Sequence, residues 1–294
     1  MATVAIISQK GGCGKSTLAT NIAAYFASRR VPITLGDLDH QQSMRVWLNR
    51  RPADAPAIAS WAADAGALWR PPVGTTHVVV DTPGGLHGFA LAKVVMIADA
   101  ILIPVSGSIF DRESVADCWA QLRAHPRVKS GRCQVACIGM RLDGRTDAEK
   151  ITRQWAASIE LPWLGSLRSA QVYVRAIENG LSIFDMPSKI TRADRAQWQP
   201  LIAWLQEQFA AVSQSSKKEK TALKPLAAKP VPSRAASVQP LAAVHHDATR
   251  AAPSHLIARA ASTIQIKLAA FPQAPAGKGF VGLVHGWFRK LQYR

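Results

Sequence analysis

The sequence predicts a doubly wound α/β fold built on a mostly parallel sheet. Three observations predict it. Apolar, strand-like runs alternate with segments of helical periodicity along residues 1–210, and such alternation builds strand–helix–strand units with parallel order. The first run passes through a glycine-rich stretch, Gln9 to Thr17 (QKGGCGKST), straight into a helical segment. Two further runs end on aspartates, Asp37 with Asp39 and then Asp81, and the carboxyl ends of parallel strands are where open sheets collect their ligands.

Thr3 to Ile7 reads as the first strand and residues 16–30 as the first helix, with Leu18, Ile22, Tyr25 and Phe26 on one face. Between them Gly11, Gly12 and Gly14 let the backbone curl so that successive N–H groups point at an anion. The helix beginning near Ser16 adds its positive end to the same spot. Lys15 places a cation on the β- and γ-phosphates, and the Ser16 hydroxyl is suited to Mg²⁺. Gly11, Gly12, Cys13, Gly14, Lys15, Ser16 and Thr17 are therefore the nucleotide-binding candidates, in the arrangement of a P-loop NTPase.

Pro32 restarts the chain, and Ile33 to Leu38 forms a second strand that ends in D-L-D-H-Q. Asp37 and Asp39 stand there, where open α/β sheets place their ligands. The competing assignment is a helix cap before Ser43 to Arg50. Residues 51–74 read as a short helical insertion with loops and no chemistry. Thr76 to Val80 closes on Asp81-Thr82-Pro83-Gly84-Gly85, a Walker B strand whose carboxylate holds the Mg²⁺ shell and whose glycines flex as a switch. Leu86 to Ala98 is a helix, Ala100 to Val105 a buried strand, and Asp111 to His125 a helix with Asp111 as its cap. Gln134 to Met140 is another buried strand. Thr146 to Ser158 is a helix, Pro162 to Leu167 a short strand, and Ser169 to Asn179 a helix stopped by Gly180 at C′. Lys189 to Phe209 supplies the last helix or helix pair, interrupted at Pro200, with Trp198, Leu201, Ile202, Leu205 and Phe209 facing the sheet.

The loop departs from the general pattern in one respect: Gln9 holds the first glycine position and Lys10 follows it. A lysine at the head of KGGxGK[ST] marks the deviant Walker A motif, and residues 1–210 resemble the ParA/MinD family of dimeric ATPases. That family positions plasmids, chromosomes or cellular machines. The resemblance implies an ATP-bridged homodimer in which Lys10 reaches the partner's phosphates. It places Asp37 and Asp39 near Mg²⁺ and the attacking water, making Lys10, Lys15, Asp37 and Asp39 the catalytic candidates. It makes Ser16, Asp39 and Asp81 the metal candidates. His40 replaces the family's usual proline. The asparagine that often reads adenine is absent from Gly139-Met140-Arg141, so ATP is expected from the family rather than from an edge-reading side chain. The resemblance also implies nonspecific DNA binding on the late basic helices, with Arg168, Arg175, Lys189, Arg192 and Arg195 as candidates, and a partner protein that stimulates hydrolysis.

The formal net charge is +17, of which residues 213–294 carry +11, with thirteen Lys and Arg against Glu219 and Asp247. An excess of this sign suggests an anionic polymer or surface as partner. Residues 1–212 are expected to be the ATPase domain and 213–278 an Ala/Pro/Lys-rich disordered linker. Residues 279–294 are expected to form an amphipathic basic segment with Phe280, Val284, Trp287 and Leu291 on one face. That segment suits a membrane surface, a partner protein or its own domain. No apolar run is long enough to span a bilayer, and the N-terminus runs directly into the first strand, so a cytoplasmic protein is expected. No sequence-reading module precedes the loop, so operator binding is not expected.

Cys13, Cys118, Cys133 and Cys137 contain no CxxC and read as buried thiols, which argues against the iron–sulfur carriers of the same superfamily. Two functions remain. One is a partition or positioning ATPase that binds DNA as the ATP-bound dimer. The other is a regulatory ATPase that assembles a membrane-associated machine for secretion, polysaccharide synthesis or flagella.

Overall fold

Strands whose neighbours lie on both sides, and whose faces are both covered by helices, must be apolar on both faces. This sequence supplies them in that form. The structure is a computed structural model that describes residues 1–39, 41–62, 71–142 and 146–222, with side chains to residue 214. In chain order the elements are β1 (Ala2–Ser8), α1 (Lys15–Ser28), β2 (Ile33–Asp37), α2 (Ser43–Arg50), β3 (Ala59–Ala62), β4 (His77–Gly84), α3 (Gly88–Ile97) and β5 (Ala100–Val105). They continue with α4 (Ile109–Ala124), α5 (Pro126–Lys129), β6 (Gln134–Met140), α6 (Ala148–Ser158), β7 (Trp163–Leu167), α7 (Gln171–Glu178), α8 (Ser188–Gln197) and α9 (Gln199–Ala222).

The described strands form one seven-stranded sheet in the order β3-β2-β4-β1-β5-β6-β7. Every pairing is parallel. β1 lies between β4 and β5, so the chain winds outward to both sides of it. The crevice at the carboxyl end of β1 is a topological switch point, the position such sheets use for ligands.

Alternation along each strand divides the core in two. Val4, Ile6, Val79 and Leu102 pack with α1, α2, α7 and α9 on one face, where Trp198, Leu201, Leu205 and Phe209 close the layer. Ala5, Ile7, Val78, Val80, Ile101 and Ile103 pack with α3, α4 and α6 on the other. Each Leu or Ile so buried contributes roughly 1.5–3 kcal/mol relative to exposure. Pro104 stands in β5 where that strand pairs only with β6, so its missing N–H costs no ladder bond toward β1. The expected break at Pro200 is the joint between α8 and α9, with Pro200 at the second position of α9.

The structure corrects three expectations. Residues 51–74 contain β3, an edge strand paired with β2, where a helical insertion was expected. Trp61 is its one buried side chain, and the indole lies so close over Gly36 that a Cβ there would collide with it. Helix α4 starts earlier than expected, with Ser108 at the N-cap. Asp111 instead sits in its first turn and accepts the Ser106 N–H at 3.3 Å. Helix α9 runs on to Ala222, past the boundary expected at residue 212. His40, residues 223–278 of the expected linker and the amphipathic segment 279–294 lie outside the described residues. Among the described residues no helix is long and apolar enough to cross a membrane.

Candidate functional site

The phosphate loop joins β1 to α1 at the centre of the sheet. Gly12 and Gly14 adopt positive φ (72° and 101°), which only glycine takes without strain. Gly14 is also the N-cap of α1 and, having no side chain, leaves the first N–H groups of the helix without a side-chain partner. Those groups and the helix dipole face the loop's interior. Lys15 is buried there, 7% exposed, and its Nζ comes close enough to Gly84 to stand 3.7 Å from the position of a Cβ on that residue.

β4 brings Asp81 to the same point. The Ser16 hydroxyl donates to Asp81 Oδ2 at 2.8 Å. Asp81 is 1% exposed, and its other oxygen, Oδ1, has no hydrogen-bond partner among the described residues. Burial pushes its pKa up to about 6, and Asp37 and Asp39 add to the rise, against the lowering effects of Ser16 and Lys15. An orphaned carboxylate oxygen beside a hydroxyl, with further carboxylates nearby, is a hard-oxygen donor set of the kind Mg²⁺ takes. These residues therefore fit the metal that the motif implies.

Asp37 lies directly opposite Asp81 in the pairing of β2 with β4. Its carboxylate accepts the Asp39 N–H at 3.1 Å and the Met44 N–H at 3.0 Å, so it also secures the start of α2. Burial raises its pKa, while the Met44 and Asp39 N–H groups oppose the rise. Asp39 accepts the Gln41 N–H at 3.0 Å. Of the two assignments offered by the sequence, the helix-start role is visible in Asp37, although Gln42 holds the N-cap position of α2.

Lys10 points away from the loop. Its Nζ donates to the Phe110 carbonyl at 2.7 Å and stands 3.7 Å from Asp111 Oδ1, at the first turn of α4. It remains 41% exposed. Cys13 is buried, and its thiol donates to the Lys10 carbonyl at 3.4 Å. The other three cysteines are also buried and free. Burial pushes Cys118 up to about 11 and Cys133 and Cys137 to about 12, so none of the three is a thiolate near neutral pH.

The contacts of several site residues could not be read from the sequence. Gln9 Nε2 donates to the Leu86 carbonyl at 2.7 Å, tying the head of the loop to the segment after β4. Thr82 Oγ1 donates to the Ile6 carbonyl at 2.7 Å in the core. Arg141, at the end of β6, has φ 56° and donates to the Gly12 carbonyl at 2.7 Å. Gln9 had a detectable mark, since it stands where the general motif has glycine.

The five late basic candidates divide into two groups. Arg168 bonds Asp194 through Nε at 2.7 Å and Nη2 at 3.1 Å. Arg195 donates to the carbonyls of Ile183, Phe184 and Met186. Arg175 on α7 and Lys189 and Arg192 on α8 are exposed.

Comparison with known proteins agrees with this arrangement. Maintenance of carboxysome distribution protein A from Halothiobacillus neapolitanus is 26% identical over 198 residues, which covers 64% of this chain and 88% of that protein. The protein of the same name from Gloeobacter kilaueensis is 29% identical over 199 residues, covering 66% and 89%. A solved ATP complex of a McdA variant from Cyanothece superposes with a TM-score of 0.55 at 16% identity, over 71% of this chain and 96% of that one, which is a likeness of fold. The profile described as "CobQ/CobB/MinD/ParA nucleotide binding domain" matches residues 4–191. The chain therefore belongs to the CobQ/CobB/MinD/ParA nucleotide-binding domain family.

Proposed function

We propose that this chain is an ATPase that positions a macromolecular cargo, dimerising on ATP and letting go on hydrolysis. The observation that carries this reading is the pair of lysines in one phosphate loop. Lys15 is buried against the ligand side, while Lys10 is half-exposed and directed outward. A single site needs only the first. The second, held on its own subunit at the first turn of α4, is the one we assign to a neighbouring copy.

In this reading the N–H groups of Gly11 to Thr17 bind the phosphates, and Lys15 offsets charge on the β- and γ-oxygens. Ser16 and Asp81, with Asp39 nearby, would hold Mg²⁺, which supplies charge neutralisation at the transferring phosphoryl group. Asp39 and Asp37 orient the attacking water. Lys10 of one protomer reaches the triphosphate of the other. Gly84 and Gly85, three and four residues after Asp81, pass the state of the γ-phosphate to the surface. The relatives named for maintaining carboxysome distribution support a positioning role.

The exposed cations Arg175, Lys189 and Arg192, together with Arg168 and Arg195, would contact nucleic-acid phosphates without reading sequence. A partner protein would stimulate hydrolysis. The amphipathic pattern Phe280, Val284, Trp287 and Leu291 favours a second reading, an ATPase that assembles a membrane-associated machine through residues 279–294.

The test is light scattering and DNA binding of the purified full-length protein with ATP, ADP or no nucleotide, beside Lys10→Ala. The expected result is a dimer, and salt-sensitive DNA binding, with ATP alone, and loss of both in the variant. A monomer in saturating ATP and Mg²⁺ overturns the reading. An ATP dimer that ignores DNA, and that loses its cellular position when residues 279–294 are deleted, transfers support to the second one.

A further inference from the structure

We infer that Gln9 is a positioning residue for hydrolysis, tying the head of the phosphate loop to the segment after Asp81 so that Lys10 is released in step with the γ-phosphate; this rests on the trans role proposed above for Lys10. Gln9 stands where the general motif has glycine, and a glycine would bring no side chain to that point. The Gln9 carboxamide instead donates from Nε2 to the Leu86 carbonyl at 2.7 Å, a contact across 77 positions of sequence.

This bond continues a backbone ladder. β1 and β4 pair as far as Ser8 and Gly84, after a register shift between Ile6 and Ser8. The Gly85 N–H donates to the Ser8 carbonyl at 3.1 Å, and the Gln9 side chain supplies the next link. Gly84 passes beside the Lys10–Gly11 peptide. A Cβ on it would stand 3.6 Å from the Lys10 carbonyl carbon and the Gly11 nitrogen, and 3.7 Å from Lys15 Nζ. A phosphate drawn in by Lys15 therefore arrives against Gly84, and the carbonyl that Gln9 grips follows on the same short segment.

Gln9 also reaches α4. Burial pushes the Cys118 thiol on that helix up to about 11, and a hydrogen bond with the Gln9 side chain opposes the rise. The first turn of α4 is what holds Lys10, through the Phe110 carbonyl and Asp111. Two consecutive residues of the loop thus grip one helix, and the first of them also grips the segment that senses the γ-phosphate. Movement at Leu86 acts on Gln9 and, through the shared backbone, on Lys10. A carboxamide carries no charge to offer the phosphates, so Gln9 acts through its neighbour.

The experiment is steady-state ATP hydrolysis in Mg²⁺ by the full-length protein, for the wild type, Gln9→Leu, Asp111→Asn and the double variant. Leucine keeps the bulk of the side chain and removes the donor. Thermal denaturation verifies folding, and Gln9→Met repeats the test if Gln9→Leu does not fold. Gln9→Leu is expected to lower kcat by about three- to tenfold, the range of one neutral hydrogen bond, and to leave KM within about twofold. Asp111→Asn removes the charge that holds Lys10, so in that background the same replacement is expected to cost less than about twofold in kcat. An unchanged kcat in Gln9→Leu overturns the inference. So does a loss that falls on KM, which would make Gln9 a support of phosphate binding, or an equal loss in both backgrounds, which would separate Gln9 from Lys10. Absence of hydrolysis by the wild type would overturn the ATPase reading itself, and so differs from failure of the inference alone.

Discussion

Lys10 Nζ stands 3.7 Å from Asp111 Oδ1, and the same ammonium donates to the neighbouring Phe110 carbonyl at 2.7 Å. The lysine assigned to a partner's phosphates is therefore held on its own subunit, at the first turn of α4. Any role in trans requires that this hold be released. An ion pair with Lys10 this exposed is worth only about 0.2–1 kcal/mol, which is weak enough to exchange for a triphosphate. Asp111→Asn keeps an acceptor for the Ser106 N–H and removes the charge. Because two such contacts are released per dimer, the expected outcome is ATP-dependent dimerisation at a protein concentration lower by up to about thirtyfold, read by analytical ultracentrifugation. An unchanged or higher midpoint would show that the contact does not restrain Lys10.

Asp81 gives a prediction in pH. Its ordinary value is 3.8 and its native value about 6, raised first by burial. Between those values the native state keeps a proton that the unfolded state has lost. Stability therefore falls as pH rises through this window, and the loss is complete above the native value. Asp81→Asn removes the ionisation and should stabilise the ligand-free protein by on the order of 2 kcal/mol at neutral pH. The gain should vanish at about pH 4. Urea denaturation at pH 4, 6 and 8 measures it. The same variant should lose the stabilisation that Mg²⁺ with nucleotide gives the wild type, so the two melting curves cross on addition of ligand.

The sheet and the loop were legible because their signals are local. An apolar run buried on both faces, a glycine loop entering a helix, and an aspartate at a strand end each declare themselves within ten residues or so. β3 was illegible because only Trp61 among its four residues is buried. Its strand character comes from pairing with β2 and from covering Gly36, which are long-range facts. The start of α4 was misread because Asp111 has a capping side chain, whereas the actual N-cap, Ser108, makes no side-chain cap bond. Arg141 was noticed only for the asparagine it displaces, since its bond to Gly12 spans 129 positions. The engagement of Arg168 and Arg195 within the fold could not be read from charge pattern alone.

Arg51 belongs to the same class of distant contact. It bonds Asp185 in bidentate fashion at 2.9 and 3.0 Å and also donates to the Gly180 carbonyl. Both charged side chains are nearly inaccessible, 6% and 4% exposed. Removing one partner strands the other's charge in the interior, at a cost of about 3–5 kcal/mol. Arg51→Ala should therefore lower the denaturation midpoint sharply. A cost below about 1 kcal/mol, the value of a surface pair, would contradict the burial of this bridge.

The late basic residues yield the last prediction, because Arg168, between β7 and α7, and Arg195, on α8, have internal partners, whereas among the described residues the other three show no such bond. Arg195 serves three carbonyls at 2.6–3.1 Å, and its loss should be felt chiefly as lower thermal stability. Arg175, Lys189 and Arg192 are exposed, and their replacement by alanine should leave melting unchanged. If they touch nucleic-acid phosphates, each replacement lowers the slope of log affinity against log salt by about 1, equally for unrelated DNA sequences. Fluorescence anisotropy across a salt series, with ATP and Mg²⁺ present, separates the two groups. Should Arg195→Ala change the salt slope while the three exposed variants leave it untouched, the nucleic-acid face would have to lie elsewhere on the molecule.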